Sequence, residues 1–316
     1  MNTIERQRRA AHEAALIQPR PDLGTLTVTG ADRSSWLNGL LTCDVATLSP
    51  GQGAYGLCVV KTGRILAEIW LVVAEDRIFL GAVADRIEIL REHLDRHLIM
   101  EDAELVDTSA DHAWVFTHGP LSAQLVLLAR GELGATSAVL IDWTGRGDAG
   151  VALAPHARAE EVCDALLGHA GEAGALATSE GFEQLRIEWG LPRFGVDFDD
   201  QTLPQEASLE KLAVSFSKGC YLGQETVFML EKRGHVKRKL VRLAVDGEGA
   251  LPAGTLVVLP DGTEVGSVTS SATRMQSSWC WPGGRWAAPK HHLGPPCATR
   301  TVARMPARPL TCRRCA

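Results

Sequence analysis

The sequence predicts an α+β fold with antiparallel sheets. Two α+β halves precede residue 190, and a β-rich unit starts near residue 237. Three observations carry this. Helical and strand periodicities alternate through both halves. Gly190, with Pro192 beyond it, punctuates the end of a helix over Ser179–Trp189. After 237, Lys239–Val245 and Thr255–Leu259 alternate, and Pro260-Asp261-Gly262-Thr263 makes a hairpin turn into Glu264–Thr269. A small barrel suits that last unit.

The elements follow in order. Ile4, Ala11, Ala14, Ala15 and Leu16 have near-helical spacing over 4–17. Leu23–Thr29 alternates as a strand. Trp36, Leu37, Leu40 and Leu41 form the apolar face of a short helix, with Asp32 as its N-cap. Ala54–Val60 and Ile65–Val73 read as strands joined by a Lys61-Thr62-Gly63-Arg64 hairpin, and Ile78–Val83 as a third strand. Asp85–Met100 reads as a helix, with Ile87, Leu90, Leu94 and Leu98 on one face. In the second half, strands are expected at 104–106, 113–116, 138–143 and 150–153, and helices at 121–128, 157–169 and 179–189. The units are 1–101, 102–236, 237–270 and a tail, 271–316.

Composition narrows the function classes. The 316 residues are 45% hydrophobic and 22% charged, an ordinary globular balance. The apolar runs are short, and the run Ile65–Val73 is interrupted by Glu68. None approaches the ~20 residues of a membrane span. The N-terminus lacks a secretory apolar core, so a cytoplasmic protein is expected. A net charge of −6 argues against a general nucleic-acid binder. Before the tail, cysteine is sparse (Cys43, Cys58, Cys163, Cys220), which gives no disulfide framework and fits a reducing compartment. His93 and His97 stand four apart on a helix, but without metalloprotease order they read as a solvated face, and no metal site is expected.

The segment richest in chemistry is Lys218-Gly219-Cys220-Tyr221-Leu222-Gly223-Gln224-Glu225. Good helix formers follow it, which would set Cys220 at a helix N-terminus. Dipole and free N–H groups there favour a thiolate, and Lys218 acts in the same direction. Gly219 and Gly223 permit close approach or unusual backbone angles. Gln224 and Glu225 would enter the first helical turn, where both can bind polar ligand groups. The bland reading is a cysteine in a tight linker, with Lys218 and Glu225 solvated or paired.

This segment resembles the signature of the YgfZ-type folate-binding proteins, relatives of the glycine-cleavage T-protein in the GcvT-like superfamily. The resemblance extends to Gly190-Leu191-Pro192, Gly195, Asp197, Leu203-Pro204-Gln205-Glu206, Ser215-Phe216 and Arg233–Leu240. Near the N-terminus it includes Val28–Arg33, Leu37–Leu40, Thr42–Val45, Pro50-Gly51 and Lys61–Leu66, so it covers roughly residues 20–270. It implies a clover leaf of two intertwined ferredoxin-like domains and a small C-terminal β-barrel, around a channel that holds tetrahydrofolate or a one-carbon derivative. It also implies an accessory role in iron–sulfur cluster assembly or repair, indirectly supporting tRNA thiomethylation. Folate and iron–sulfur proteins or their assembly machinery are the implied partners of a monomer that binds neither membrane nor nucleic acid directly. The alternative is an aminomethyltransferase of the T-protein type. That enzyme usually carries a Thr-Gly-Tyr-Thr-Gly-Glu-like segment, where this chain reads Trp143-Thr-Gly-Arg-Gly-Asp-Ala-Gly150.

By resemblance, Cys220 and Lys218 are the chemical candidates. Phe182 and Leu23 match wall positions for the pterin ring. Asn38, Arg64, Tyr221, Gln224 and Glu225 complete the expected cofactor set, with Gly219 and Gly223 shaping the motif. One cysteine cannot hold a cluster, which takes about four ligands, so any metal role of Cys220 would be transient or completed by a partner.

The tail breaks the pattern. Residues 271–316 hold eight Lys or Arg and no acid; the remainder holds 24 basic and 38 acidic residues. The tail also contains three of eight Trp, four of eight Cys and six of fifteen Pro. This is the composition expected from a reading-frame shift near residue 272. It predicts an irregular tail and an incomplete barrel with an exposed edge. A metal-binding extension through Cys297, Cys312, Cys315 and His291 or His292 is the weaker reading.

Overall fold

The computed structural model describes residues 3–234, 236–246, 250–259, 263–272 and 298–306. Helix α1 (Thr3–Glu13) leads into β1 (Leu16–Arg20). Then come β2 (Leu23–Thr29), α2 (Arg33–Asn38), β3 (Gly53–Val59), β4 (Ile65–Val73), β5 (Ile78–Val83), α3 (Ile87–Asp95) and β6 (Glu104–Asp107). They are followed by β7 (His112–His118), α4 (Ser122–Gly131), β8 (Ser137–Leu140), β9 (Ala149–Pro155), α5 (Ala159–Ala170), β10 (Ala175–Leu176) and α6 (Ser179–Trp189). The short α7 (Glu210–Ala213) and α8 (Gln224–Arg233) precede β11 (Arg238–Asp246), β12 (Leu256–Val258), β13 (Glu264–Ala272) and β14 (Ala298–Pro306).

Three sheets result. Their strand orders are β3-β4-β5-β2-β6, β10-β1-β7-β9-β8 and β11-β14-β13-β12. Among the described strand pairs, only the short β1–β10 pairing is parallel. The first two sheets exchange strands along the chain. β1 belongs to the second sheet, and β6 returns to pair with β2 in the first. A cut at 101/102 therefore does not separate the sheets, because pairing crosses it in both directions. Local periodicity carries no sign of such exchange.

Several expectations are corrected. The N-terminal helix stops at Glu13, and Leu16–Arg20 is a strand rather than its last turn. Pro19 is tolerated because β10 reaches only Leu16 and Ile17. Asp32 makes no side-chain cap; its carboxylate instead accepts the Asp102 N–H at 2.9 Å, tying α2 to the approach of β6. By contrast, α6 has the expected ends. The Thr178 hydroxyl accepts the Gly181 N–H, and Gly190 takes the left-handed conformation.

The third unit is an open four-stranded sheet, and no closed barrel is found among the described residues. β14 falls inside the tail expected to be irregular, yet it lies between β11 and β13 and pairs with both. Partners on both sides satisfy its backbone where alternation alone was a poor guide. The 260–262 turn and the cysteines and histidines of the metal-binding alternative lie outside the described residues.

The largest core cluster draws on both five-stranded sheets. Tyr55, Leu57, Trp70 and Phe79 come from the first; Trp114, Phe116, Val151 and Leu153 come from the second. Phe198 and Tyr221 join it from the segments after α6.

Candidate functional site

Strand alternation sends bulky residues of β3, β4 and β7 into the space between the two sheets, where their rings form a continuous cluster. Trp70 lies 5.5 Å from Tyr55, 5.5 Å from Phe116 and 5.8 Å from Trp143. His118 continues the series, 5.6 Å from Trp143, 5.3 Å from Phe182 and 5.6 Å from Trp189. Two cations cover it. The Arg20 guanidinium sits 5.1 Å over Trp70 and 5.0 Å over Phe116, while that of Arg146 sits 4.8 Å over Trp189. Each is oriented by the acid two residues on. Arg20 donates twice to Asp22 (2.8 and 2.9 Å), and Arg146 twice to Asp148 (3.3 and 3.1 Å).

Within this apolar setting lie two buried titratable centres. Glu68 accepts the Tyr55 hydroxyl at 2.5 Å. Burial pushes the Glu68 carboxyl above its ordinary range, opposed by the Tyr55 hydrogen bond and the Arg20 charge. Burial and the adjoining carboxylate hold the Tyr55 hydroxyl well above 10. His118 donates from Nε2 to Gln18 Oε1 (2.8 Å). Burial, aided by Arg20 and Arg146, pulls its pKa down to about 3, so it is neutral at physiological pH.

The cluster also holds polar atoms with no protein partner. Nε1 of Trp70, Trp143 and Trp189, Nδ1 of His118 and the Tyr221 hydroxyl are all buried and unpaired. Such groups are rare in interiors, because each costs about 1–3 kcal/mol. Flat apolar walls, a buried acid and unpaired N–H donors fit the demands of a pterin ring, which needs two apolar faces and a few polar partners along one edge.

Comparison with known proteins agrees with this architecture. Residues 1–133 match the family model of the GCVT N-terminal domain. An aminomethyltransferase from Herpetosiphon aurantiacus is 29% identical over 281 residues, spanning 84% of this chain and 76% of that protein. The tRNA-modifying protein YgfZ of Vibrio vulnificus is 26% identical over 243 residues, 74% of this chain and 72% of its own length. The crystal structure of glycine cleavage system aminomethyltransferase T from Bartonella henselae superposes with a TM-score of 0.74 at 18% identity, covering 96% of this chain and 81% of that one.

Residues 1–133 are thus similar to the GCVT N-terminal domain, and the described fold is that of an aminomethyltransferase T structure.

The motif that most strongly marks the superfamily resemblance turns out to be a structural joint. The Lys218 ammonium donates to the carbonyls of Asn38 (2.6 Å), Leu41 (2.7 Å) and Cys43 (2.8 Å), using all three of its N–H bonds. Burial pulls its pKa down to about 8. Lys218 is thus committed to the end of α2 rather than to Cys220. Cys220 is exposed and lies three residues before the N-cap Gly223, outside the first turn of α8. Gly223 is required by its setting. It has φ +79°, and a Cβ there would meet the Val60 carbonyl at 2.5 Å. Gly219 faces open space; its carbonyl accepts Gln224 Nε2 at 3.4 Å. Glu225 is exposed on α8.

The other expected cofactor residues divide. Phe182, Leu23 and Tyr221 belong to the central cluster, and burial pushes the Tyr221 hydroxyl up to about 12. Asn38 is used locally, its Oδ1 accepting the Val45 and Ala46 N–H groups at 3.0 and 3.3 Å. Arg64 is exposed and pairs with Gln201. The residues that sequence reasoning missed are Glu68, Tyr55, Trp70, His118 and Trp143. One signal was available, namely a lone acid inside the apolar strand Ile65–Val73.

Proposed function

We propose that this chain binds tetrahydrofolate or a one-carbon derivative in the aromatic cluster between the two five-stranded sheets. In this reading it acts as a YgfZ-type accessory factor for iron–sulfur cluster assembly or repair. The observation that carries the binding proposal is the buried Glu68 carboxyl beside unpaired indole N–H groups. Glu68 would accept from donor N–H groups of the pterin edge, while Trp70 or Trp143 would donate to its acceptors. Phe182 and Leu23 would supply apolar wall. Bound tetrahydrofolate would supply nitrogen atoms that carry a one-carbon unit, and the protein's part is to hold it dry and oriented.

The accessory role is supported by the Lys218–Glu225 motif and by the Trp143–Gly150 segment, which lacks the T-protein pattern. A second reading, aminomethyl transfer to tetrahydrofolate, is supported by the relatives that bear that name and by an acid poised in an apolar site. Two experiments decide. Titration of the protein with 5-formyltetrahydrofolate should quench its tryptophan fluorescence saturably; no binding removes the folate reading. Expression in bacteria lacking their own family member should restore the activity of an iron–sulfur tRNA thiomethylation enzyme. Failure of soluble protein to do so, with turnover of an aminomethyl-lipoyl donor, transfers the assignment to the second reading.

A further inference from the structure

His118 brings an unpaired acceptor into the ring cluster, and a single partner decides its form. β1 and β7 run antiparallel, with Leu16 opposite His118 and Gln18 opposite Phe116. Opposed residues share a face of a sheet, and so do residues two apart on one strand. Gln18 and His118 are therefore diagonal neighbours on one face. There the Gln18 Oε1 lies 2.8 Å from the His118 Nε2. Both residues are buried, His118 to 1% exposure.

A neutral imidazole carries its one proton on either nitrogen, and the partner of one nitrogen fixes the state of the other. An amide oxygen can only accept, so the proton stays on Nε2 and Nδ1 keeps a lone pair. That lone pair meets no hydrogen-bond partner among the described residues. The imidazole is walled instead by the rings of Trp143, Phe182 and Trp189. Phe182 lies closest to parallel with it, at 30°. Trp143 and Trp189 bring unpaired Nε1 donors to the same group.

Packing does not ask for this pair. Exchanging both partners of a buried hydrogen bond for apolar groups of the same shape is nearly neutral, whereas a bare buried acceptor costs about 1–3 kcal/mol. A phenyl ring at 118 with an aliphatic chain at 18 would fill the space without that cost. The histidine and glutamine are accounted for when a bound molecule supplies the missing N–H. One acceptor beside two donors complements a planar nitrogen heterocycle or amide, which presents an N–H next to acceptor atoms.

We propose that His118 is a ligand-binding residue whose Nδ1 accepts an N–H of a planar nitrogen-bearing ligand, and that Gln18 is a positioning residue that keeps Nδ1 unprotonated for that contact. The contact shares no hydrogen bond with the Glu68–Tyr55 pair, so it fixes the ligand at a second point. The identity of the ligand rests on the folate reading; the tautomer does not.

The test reads both ring nitrogens by long-range proton–nitrogen correlation of the full chain carrying nitrogen-15 histidine. The His118 signals are assigned by their loss in His118→Phe. In ligand-free protein Nε2 should be pyrrole-like and Nδ1 pyridine-like. Gln18→Leu should move both towards the values of a tautomer mixture. Saturation with 5-formyltetrahydrofolate, followed by tryptophan quenching, should shift Nδ1 upfield and leave the proton on Nε2. Gln18→Leu and His118→Phe should each weaken that binding about tenfold. His97 is the internal reference, because its Nδ1 already meets the His93 carbonyl at 2.8 Å, and it should not move. A proton on Nδ1 in the free parent overturns the proposal. So does saturable quenching with Nδ1 unmoved, or with His97 moved equally. If Gln18→Leu does not fold, the parent's free and bound spectra decide. If the parent shows no quenching, the folate reading falls and takes the ligand contact with it, while the free spectrum still decides the role of Gln18. Failure of the proposal alone is quenching without an Nδ1 shift, so the two failures are distinguishable.

Discussion

The Lys218–Glu225 segment and the ring cluster between the sheets stand in opposite relation to their sequences. The segment is dense in reactive residue types, but its lysine is saturated by three carbonyls and its cysteine lies open to solvent. The cluster is assembled from residues scattered between Gln18 and Trp189, none conspicuous alone, yet it holds the buried acid and the unpaired donors. Reactive composition and buried, unpartnered polar groups thus pick out two different parts of the molecule. What distinguishes the cluster is polar groups removed from water without partners, a condition only tertiary contact creates.

The sharpest test of this contrast is acid stability. His118 titrates near 3 in the folded chain and near 6.5 unfolded, so the native state binds fewer protons between those values. Its contribution is full above pH 6.5 and declines as pH falls towards 3, by about 1.4 kcal/mol per unit. Urea melts across this window should lose several kcal/mol more for the parent than for His118→Leu. Equal slopes would mean that His118 is not held neutral by its surroundings.

Next in size is Lys218→Met. It strands three carbonyls and removes charge-assisted bonds, so a loss of about 3 kcal/mol in unfolding free energy is expected. A loss below about 0.5 kcal/mol, the range of an ordinary surface change, would return Lys218 to the role of activating Cys220.

Glu68→Gln should separate function from stability. The carboxyl is raised by burial, so its ionised form opposes folding at neutral pH, and the amide should raise Tm. The same change should weaken 5-formyltetrahydrofolate binding about tenfold or more, since a hydrogen bond to a charged group is lost. Unchanged affinity would remove Glu68 from the site. Smallest is Cys220→Ser, expected to shift stability by less than about 0.5 kcal/mol. Complementation comparing it with the parent then asks whether an exposed thiol matters at all.

Much of the fold was legible because it is locally encoded. Helix α6 could be bounded from Thr178, Gly190 and Pro192, since capping groups and a left-handed glycine act within one turn. The Lys61–Arg64 hairpin was legible for the same reason: the Gly63 N–H bonds back to Val60, and φ is +78°. Asp32 was misjudged because a better partner, the Asp102 N–H, arrives from 70 residues away. β1 was misjudged because Leu16 and Ile17 continue a helical spacing, and only pairing with β7 and β10 makes them a strand. Of the candidate site, Phe182, Leu23 and Tyr221 were reached by resemblance. Glu68 announced itself only as an interruption in an apolar run.

By itself, the sequence determined the α+β class, most element boundaries, the motif at 218–225 and the superfamily resemblance. These depend on periodicity, turn chemistry and residue spacing, which act over a few residues. The resemblance already implied intertwined domains; the tertiary structure decided which strands, β1 and β6, change sheets, that β14 completes the third sheet from within an unpromising tail, and that the Lys218 ammonium is held by three carbonyls. It alone enclosed Glu68 and His118 and set Gln18 against the His118 ring. Burial, desolvation and hydrogen-bond satisfaction are properties of groups brought together from distant parts of the chain, so no local reading of the residues contains them.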